Sequence, residues 1–383
     1  MNHRWLLGLA VTMSVLTACG ALDPGAESEA YSDQSQDTAI ADASADRAIS
    51  GQLSGQIDPL MAQFEDGPGG AVMVIQAGEI VHQNGYGLAD VGEDVAVTPE
   101  TIFHLGSVGK QFTAMGVLLL VEQGQVDLDD PISTYIPELS WMDPGVTIRR
   151  LLHHTSGVMG YDDSDDIYEA LLALSPAPDN EDVLSAIAQF PDMLSQPGDE
   201  FYYSNTGYDL LGLLIERVSG QPYGRFMEVN LFAPLGMSHT FALPSDRRFD
   251  DSVAQSYDPS GPYEPDVLDN VNGSGSIYST LGDLYRYDQA LYTEALVSQD
   301  LLAEMFTSGT LNDGEAINYG FGFDVATHAG YDYVGHQGSW LGFDAYYLRF
   351  PTEELSVVVL LNLDYADPGS EELAFAIADL YLP

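Results

Sequence analysis

Apolar positions fall into two regimes along the chain. Near the start and again near the end they gather in short runs, at 71–76, 80–85, 319–325, 332–336, 342–350 and 355–363, each flanked by glycine or turn residues. Runs of that length and flanking predict strands, and Ala77-Gly78-Glu79 predicts a hairpin between the first two. In between, apolar residues recur at helical spacing. The stretch 103–124 is small and polar in its first half and continuously apolar in its second, ending at Gly124. Shorter helical patterns occupy 147–152 and 207–220, the region 161–195 reads as acidic loops with one or two peripheral helices, and 369–381 predicts a terminal helix. Leu128-Asp129-Asp130-Pro131-Ile132 opens a further segment with proline at a first helical position. Strands near both ends with helices between them predict an α+β domain whose sheet joins the N- and C-terminal parts of the chain.

The first residues change the picture. Arg4 supplies a minimal positive region, 5–15 is an apolar run too short to span a bilayer, and Leu16-Thr17-Ala18-Cys19 follows. This resembles the lipobox of bacterial lipoproteins, which implies a signal peptide at 1–18, lipid on Cys19 and a membrane-held chain facing the periplasm or exterior. Cys19 is the only cysteine, so an internal disulfide is impossible. Residues 19–50 are rich in Ala, Ser, Asp, Glu and Gln, the composition of a disordered acidic tether. The expected globular domain is 51–383.

Charge narrows the partners. The formal net charge is −48, spread along the chain with no basic stripe, which argues against nucleic acid and points to a surface adapted to salt. Among eleven basic residues Lys110 is the only lysine. It stands three residues after Ser107, at the mouth of the predicted helix. Residues three apart on a helix share a face with Cβ atoms about 5–6 Å apart, so the amine can reach the hydroxyl. The free N–H groups of a first turn can hold a developing negative charge.

Two further stretches carry chemistry. Tyr203-Ser204-Asn205 leads into the 207–220 helix, placing Tyr203 and Asn205 at its entry. Tyr333-Val334-Gly335-His336-Gln337-Gly338-Ser339-Trp340 lies among the C-terminal strands, where Gly338 permits close approach to an edge strand. His153-His154 are adjacent, but helix neighbours point about 100° apart and no further ligand stands at metal spacing. The Gly-x-Ser-x-Gly elbow of α/β-hydrolases is absent; Gly236-Met237-Ser238-His239-Thr240 fails at its last position.

Together, Ser107-Val108-Gly109-Lys110, Tyr203-Ser204-Asn205 and His336-Gln337-Gly338 resemble the three active-site motifs of the penicillin-recognising serine hydrolases, in the branch of class C β-lactamases, D-alanyl-D-alanine carboxypeptidases and esterases. The flanks Leu151–Gly157, Pro197–Gly220 and Gly275–Asp283 agree, and the resemblance covers about residues 55–380. It implies a β-lactamase/transpeptidase-like fold, an antiparallel sheet flanked by helices with an all-helical subdomain and the site in the cleft. It implies no cofactor and no metal, and a small-molecule or peptidoglycan-like substrate. Ser107 would be the acylated nucleophile, Lys110 would hold or accept its proton, and Tyr203 and Asn205 would line the cleft. His336 and Gly338 would come from an edge strand, and the N–H groups of Ser107 and Ser339 would form the oxyanion hole.

Either of two groups could act as base. Lys110 serves if burial lowers its pKa, and Tyr203 serves if the lysine charge stabilises its phenolate; the resemblance leans to Tyr203 for activating water. The third motif departs from the Lys-Thr-Gly of many β-lactamases. His336 is a weaker, pH-dependent cation and Gln337 lacks the hydroxyl, so the substrate ranges over β-lactam, D-Ala peptide and small ester. The competing expectation is a tethered protein that binds penicillin or cell-wall fragments without turnover.

Overall fold

The computed structural model describes residues 53–243 and 252–383, which belong to one unit, 49–383. The expected signal segment, Cys19 and nearly all of the tether lie outside the described residues. The strand runs pair into a six-stranded antiparallel sheet of β1 (Gly70–Gln76), β2 (Glu79–Tyr86), β3 (Asp324–His328), β4 (Tyr331–Trp340), β5 (Phe343–Phe350) and β6 (Leu355–Leu361), in the order β3-β4-β5-β6-β1-β2. The first and last strands of this sheet in sequence therefore pair in its interior, from Gly70 opposite Leu361 to Gln76 opposite Leu355. The β1–β2 hairpin turns on Ala77 and Gly78, both at positive φ (50° and 79°), the backbone a tight two-residue turn requires.

β6 is buried along its whole length because both faces of the sheet are covered. Val357, Val359 and Leu361 pack with Leu373 and Ile377 of the terminal helix α3 (Ser370–Tyr381) and with Ile57 and Met61 of the helical residues 53–61. Val358 and Leu360 face the other way, into the core that holds Phe112 and Met115. A strand covered on both sides loses the alternation of a half-buried one, and it reads in sequence as an unbroken apolar run. Arg349 of β5 and Asp288 of the helix Leu281–Ala290 form a buried ion pair at 2.8 Å, with Tyr347 and Ser356 also donating to Asp288 Oδ1.

The helical layer centres on α1 (Lys110–Glu122), buried from Lys110 to Leu120, packed against α2 (Asn205–Ser219). A Cβ at Gly116 would lie 2.9 Å from Ile215 Cδ1, so the Ile215 side chain packs into the space that glycine leaves on α1. The acidic region forms helices at Asp165–Leu174 and Asn180–Ile187, capped by Ser164 and Asp179. Thr147 caps Ile148–Leu152 and accepts from Arg150 N–H.

Three expectations need correction. The run at 319–325 is not a strand over most of its length. Tyr319, Phe321 and Phe323 are buried in a loop, and Gly322 (φ 76°) passes so close to α1 that a Cβ would lie 2.7 Å from Gln111 N, so pairing begins only at Asp324. β4 is the second strand of the sheet rather than its edge. Its partner β3 stops at Asp324 opposite Gly335, however, so among the described residues 336–340 have no strand beside them on that side. Pro131, in extended backbone, stands at the N-cap of a one-turn 3-10 helix, Ile132–Thr134, rather than at a first helical position.

Candidate active site

The chain reaches Ser107 from a short strand, Phe103–His104, that pairs with Ile277–Ser279. Gly106 follows at φ 52° and donates its N–H to His104 Nδ1 at 2.9 Å. Gly106–Gly109 is a 3-10 turn that runs directly into α1. In a 3-10 turn side chains three apart eclipse, so Ser107 and Lys110 stand one above the other. Lys110 Nζ is 3.0 Å from Ser107 Oγ.

Glycine lets this turn dock on β4. A Cβ at Gly338 would lie 1.9 Å from Leu105 O, and one at Gly106 would lie 2.6 Å from Ser339 N. The register adds direction: Trp340 and Phe343 close the β4–β5 hairpin, so the backbone groups of Ser339, opposite Asp344, point away from β5 and towards the Ser107 turn. The Ser107 N–H belongs to a first turn, whose donors have no partner within the helix.

Lys110 has no solvent exposure. Its amine donates to Ser107 Oγ, to Asn205 Oδ1 at 2.7 Å and to the Ser274 carbonyl at 2.8 Å. Asn205 is fixed in turn by donating Nδ2–H to Asp162 at 2.8 Å, and it occupies the first turn of α2, capped by Ser204. Burial holds Lys110 well below the usual lysine value, and the charges of Asp209 and Asp162 oppose that shift. Burial pushes the Asp209 carboxyl up, to a position linked to the lysine.

Tyr203 lies under this amine, its ring centroid 4.8 Å from Nζ. Tyr203 is 38 % exposed, while its hydroxyl meets the Ser107 side chain. Burial raises its pKa well above the ordinary tyrosine value; contact with Ser107 opposes this, and Asp324, Asp162 and Asp209 reinforce it. His154, at φ 57°, packs tilted on Tyr203 with centroids 4.3 Å apart and accepts the Ser204 N–H at 3.1 Å. Its neighbour His153 donates to the Tyr319 carbonyl at 3.0 Å.

His336 corrects the expectation of a cation facing substrate. It is 5 % exposed, donates from Nδ1 to the Gln337 carbonyl and accepts at Nε2 from Tyr319 O–H at 2.9 Å. Burial lowers its pKa to about 3, so it is neutral and supports the aromatic wall behind Tyr203, 6.0 Å from that ring.

Ser107, Asn205 and Ser339 line one cleft of about 80 Å³ with His104, Tyr161 and Trp340. A larger hollow of about 350 Å³ also borders Trp340 but is not lined by Ser107. Sequence reading missed Ser274, Asp209, Asp162 and Tyr161. Asp209 left a signal, a carboxylate set among leucines on a helix with no exposure; the others sit in loops and left none.

Comparison with known proteins agrees with this architecture. The family model described as Beta-lactamase matches residues 57–382. Penicillin-binding protein 4* of Bacillus subtilis (strain 168) is 30 % identical over 318 residues, 76 % of this chain and 68 % of that one. The D-aminopeptidase of Gluconobacter oxydans (strain 621H) is 27 % identical over 346 residues, 88 % of this chain and 64 % of that one. The octameric penicillin-binding protein homologue from Pyrococcus abyssi superposes with a TM-score of 0.74 at 28 % identity, covering 86 % of this chain and 77 % of that one. A match that runs through the sheet, the helical layer and the Ser107 turn leaves one assignment: the chain belongs to the beta-lactamase family.

Proposed function

We propose that the protein is a serine hydrolase that cleaves an amide or ester through an acyl-enzyme on Ser107. The observation that carries this reading is the set of bonds at Lys110. A protonated amine spends its three donors on Ser107 Oγ, Asn205 Oδ1 and the Ser274 carbonyl. A neutral amine keeps the last two, and its lone pair then accepts the Ser107 O–H. Burial favours that neutral form.

The reaction follows. Ser107 Oγ bonds to the substrate carbonyl carbon as its proton passes to Lys110 Nζ. The oxyanion is held by the N–H groups of Ser107 and Ser339, each donor contributing about 10²–10³ in rate. The bond to the leaving group breaks, and that group takes a proton from Tyr203, whose phenol is kept protonated by burial and by the neighbouring carboxylates. Lys110 returns its proton to Tyr203, and water then releases the acid and restores Ser107. Between the two candidate bases this favours Lys110, because nothing near Tyr203 stabilises a phenolate more than burial opposes it.

The substrate class is a β-lactam, a D-Ala peptide or a small ester, in keeping with relatives named penicillin-binding protein and D-aminopeptidase. We place the protein at the cell envelope, held by lipid on Cys19, on the strength of the Leu16–Cys19 motif and those relatives.

The test is a rate assay of the chain at high salt on a chromogenic cephalosporin, a nitrophenyl ester and a D-Ala-D-Ala peptide, beside Ser107→Ala. Turnover of at least one substrate, lowered at least about 10³-fold in the variant, is expected. Stoichiometric mass gain on Ser107 without release would instead make the protein a penicillin or cell-wall receptor.

A further inference from the structure

Asp209 lies one helical turn after Asn205 on α2 and has no solvent exposure, yet it takes part in no proton transfer above. Its Oδ1 accepts the Ser274 N–H at 3.0 Å and its Oδ2 accepts the Tyr161 O–H at 3.2 Å. Ser274 is the same residue whose carbonyl receives Lys110 Nζ at 2.8 Å. One residue therefore has its N–H on the carboxylate and its C=O on the amine. Gly273, at φ 124°, fits this segment against α2, where a Cβ would lie 2.1 Å from Tyr208 O.

We propose that Asp209 is the positioning residue for Lys110, a buried counter-charge that acts across Ser274 to hold the amine and to set the pH at which it loses its proton. The inference deepens the reading of Lys110 as base and rests on it for its catalytic meaning. The physical case is one of charge count. The titratable groups facing the pair are Tyr161 and Asp162 from the segment before the Asp165–Leu174 helix, His154, Tyr203, Tyr208, Tyr223 and His336. Burial keeps all four tyrosines protonated and both histidines neutral. Among the described residues, the charges left to oppose desolvation of Lys110 are Asp209 and Asp162, and Asp162 lies on the exposed side of Asn205, where water screens it.

Asp209 does not take the serine proton and touches no reacting atom. Its negative charge stabilises the protonated amine, so removing it lets burial act alone and the lysine proton leaves at lower pH. A carboxylate with only a structural role, capping the 272–274 turn, would leave that titration where it is.

The sequence supplies the measurement. Lys110 is the only lysine, so growth on [13Cε]lysine, with a lysine-free tag, gives a protein with one labelled side chain whose 13C shift titrates with its own amine. In folded Asp209→Asn, which keeps the shape of the carboxylate without its charge, the midpoint is expected to fall by about one pH unit or more. Asp162→Asn is expected to move it less. Tyr161→Phe removes one bond to Asp209, weakens its charge and should lower the midpoint by a smaller step; it carries the test if Asp209→Asn does not fold. An unmoved midpoint in the folded variants, or a larger shift in Asp162→Asn, overturns the inference. The pH profile of Ser107 acylation separates the two readings. If the acid limb follows the 13C midpoint down, Lys110 is the base; if the midpoint moves and the limb stays, Asp209 governs Lys110 but another group takes the serine proton.

Discussion

Gly106 can donate to His104 Nδ1 only while that imidazole is neutral, so the turn carrying Ser107 hangs on the protonation of its neighbour. Burial lowers the His104 pKa to about 3. A histidine depressed in the folded state stabilises fully above its unfolded value, near 6.5, and loses that contribution as pH falls towards 3. His104→Asn should therefore show a shallower loss of stability between pH 6.5 and 4 than the parent, by up to about 1.4 kcal/mol per pH unit, in urea titrations across that range. An equal slope would mean that the imidazole relaxes on protonation. Ser107 and Lys110 were legible at this scale because a solitary lysine one turn from a serine stands out. His336 was legible as a position and misleading as a charge: its motif marks where the strand meets the cleft, whereas its neutrality comes from burial and the nearby Lys110 amine, which no local pattern reveals. Ser274 was invisible, since it contributes a carbonyl that any residue type would supply.

At the scale of elements, strands declared themselves by apolar runs and helices by their spacing, and both ends of the 103–124 pattern held. What failed was pairing. The alternating aromatics at 319–323 satisfy a strand pattern, yet two glycines and the neighbouring α1 turn them into a packed loop. The outer side of 336–340 was read as a sheet edge, and it is one only because β3 is short. The buried pair of Arg349 and Asp288 ties β5 and β6 to the helix Leu281–Ala290. Asp288→Ala would strand the Arg349 guanidinium, which is 1 % exposed, and should cost about 3–5 kcal/mol in denaturant unfolding. A cost below about 1 kcal/mol would mean that water reaches the guanidinium in the variant.

For the molecule as a whole, the net charge of −48 makes self-repulsion a property of the folded state. Screening shortens the reach of these charges from about 10 Å at 0.1 M salt to about 3 Å at 1 M. Tm is expected to rise across that range of NaCl, and a flat or falling Tm would assign the acids to solubility alone. The strand order has a further effect, on the time course of synthesis. A ribosome delivers Ser107 and Lys110 early, but β1 has no partner on its central side until β6 emerges, and Ser339 arrives only with β4. Pairing between such distant segments carries a loop-closure cost that local helices avoid. The nascent chain thus carries Ser107 for most of its translation without the strand that borders its cleft. A product truncated before residue 331 would lack the Ser339 wall of the cleft, would expose an apolar strand edge, and would be a substrate for quality control.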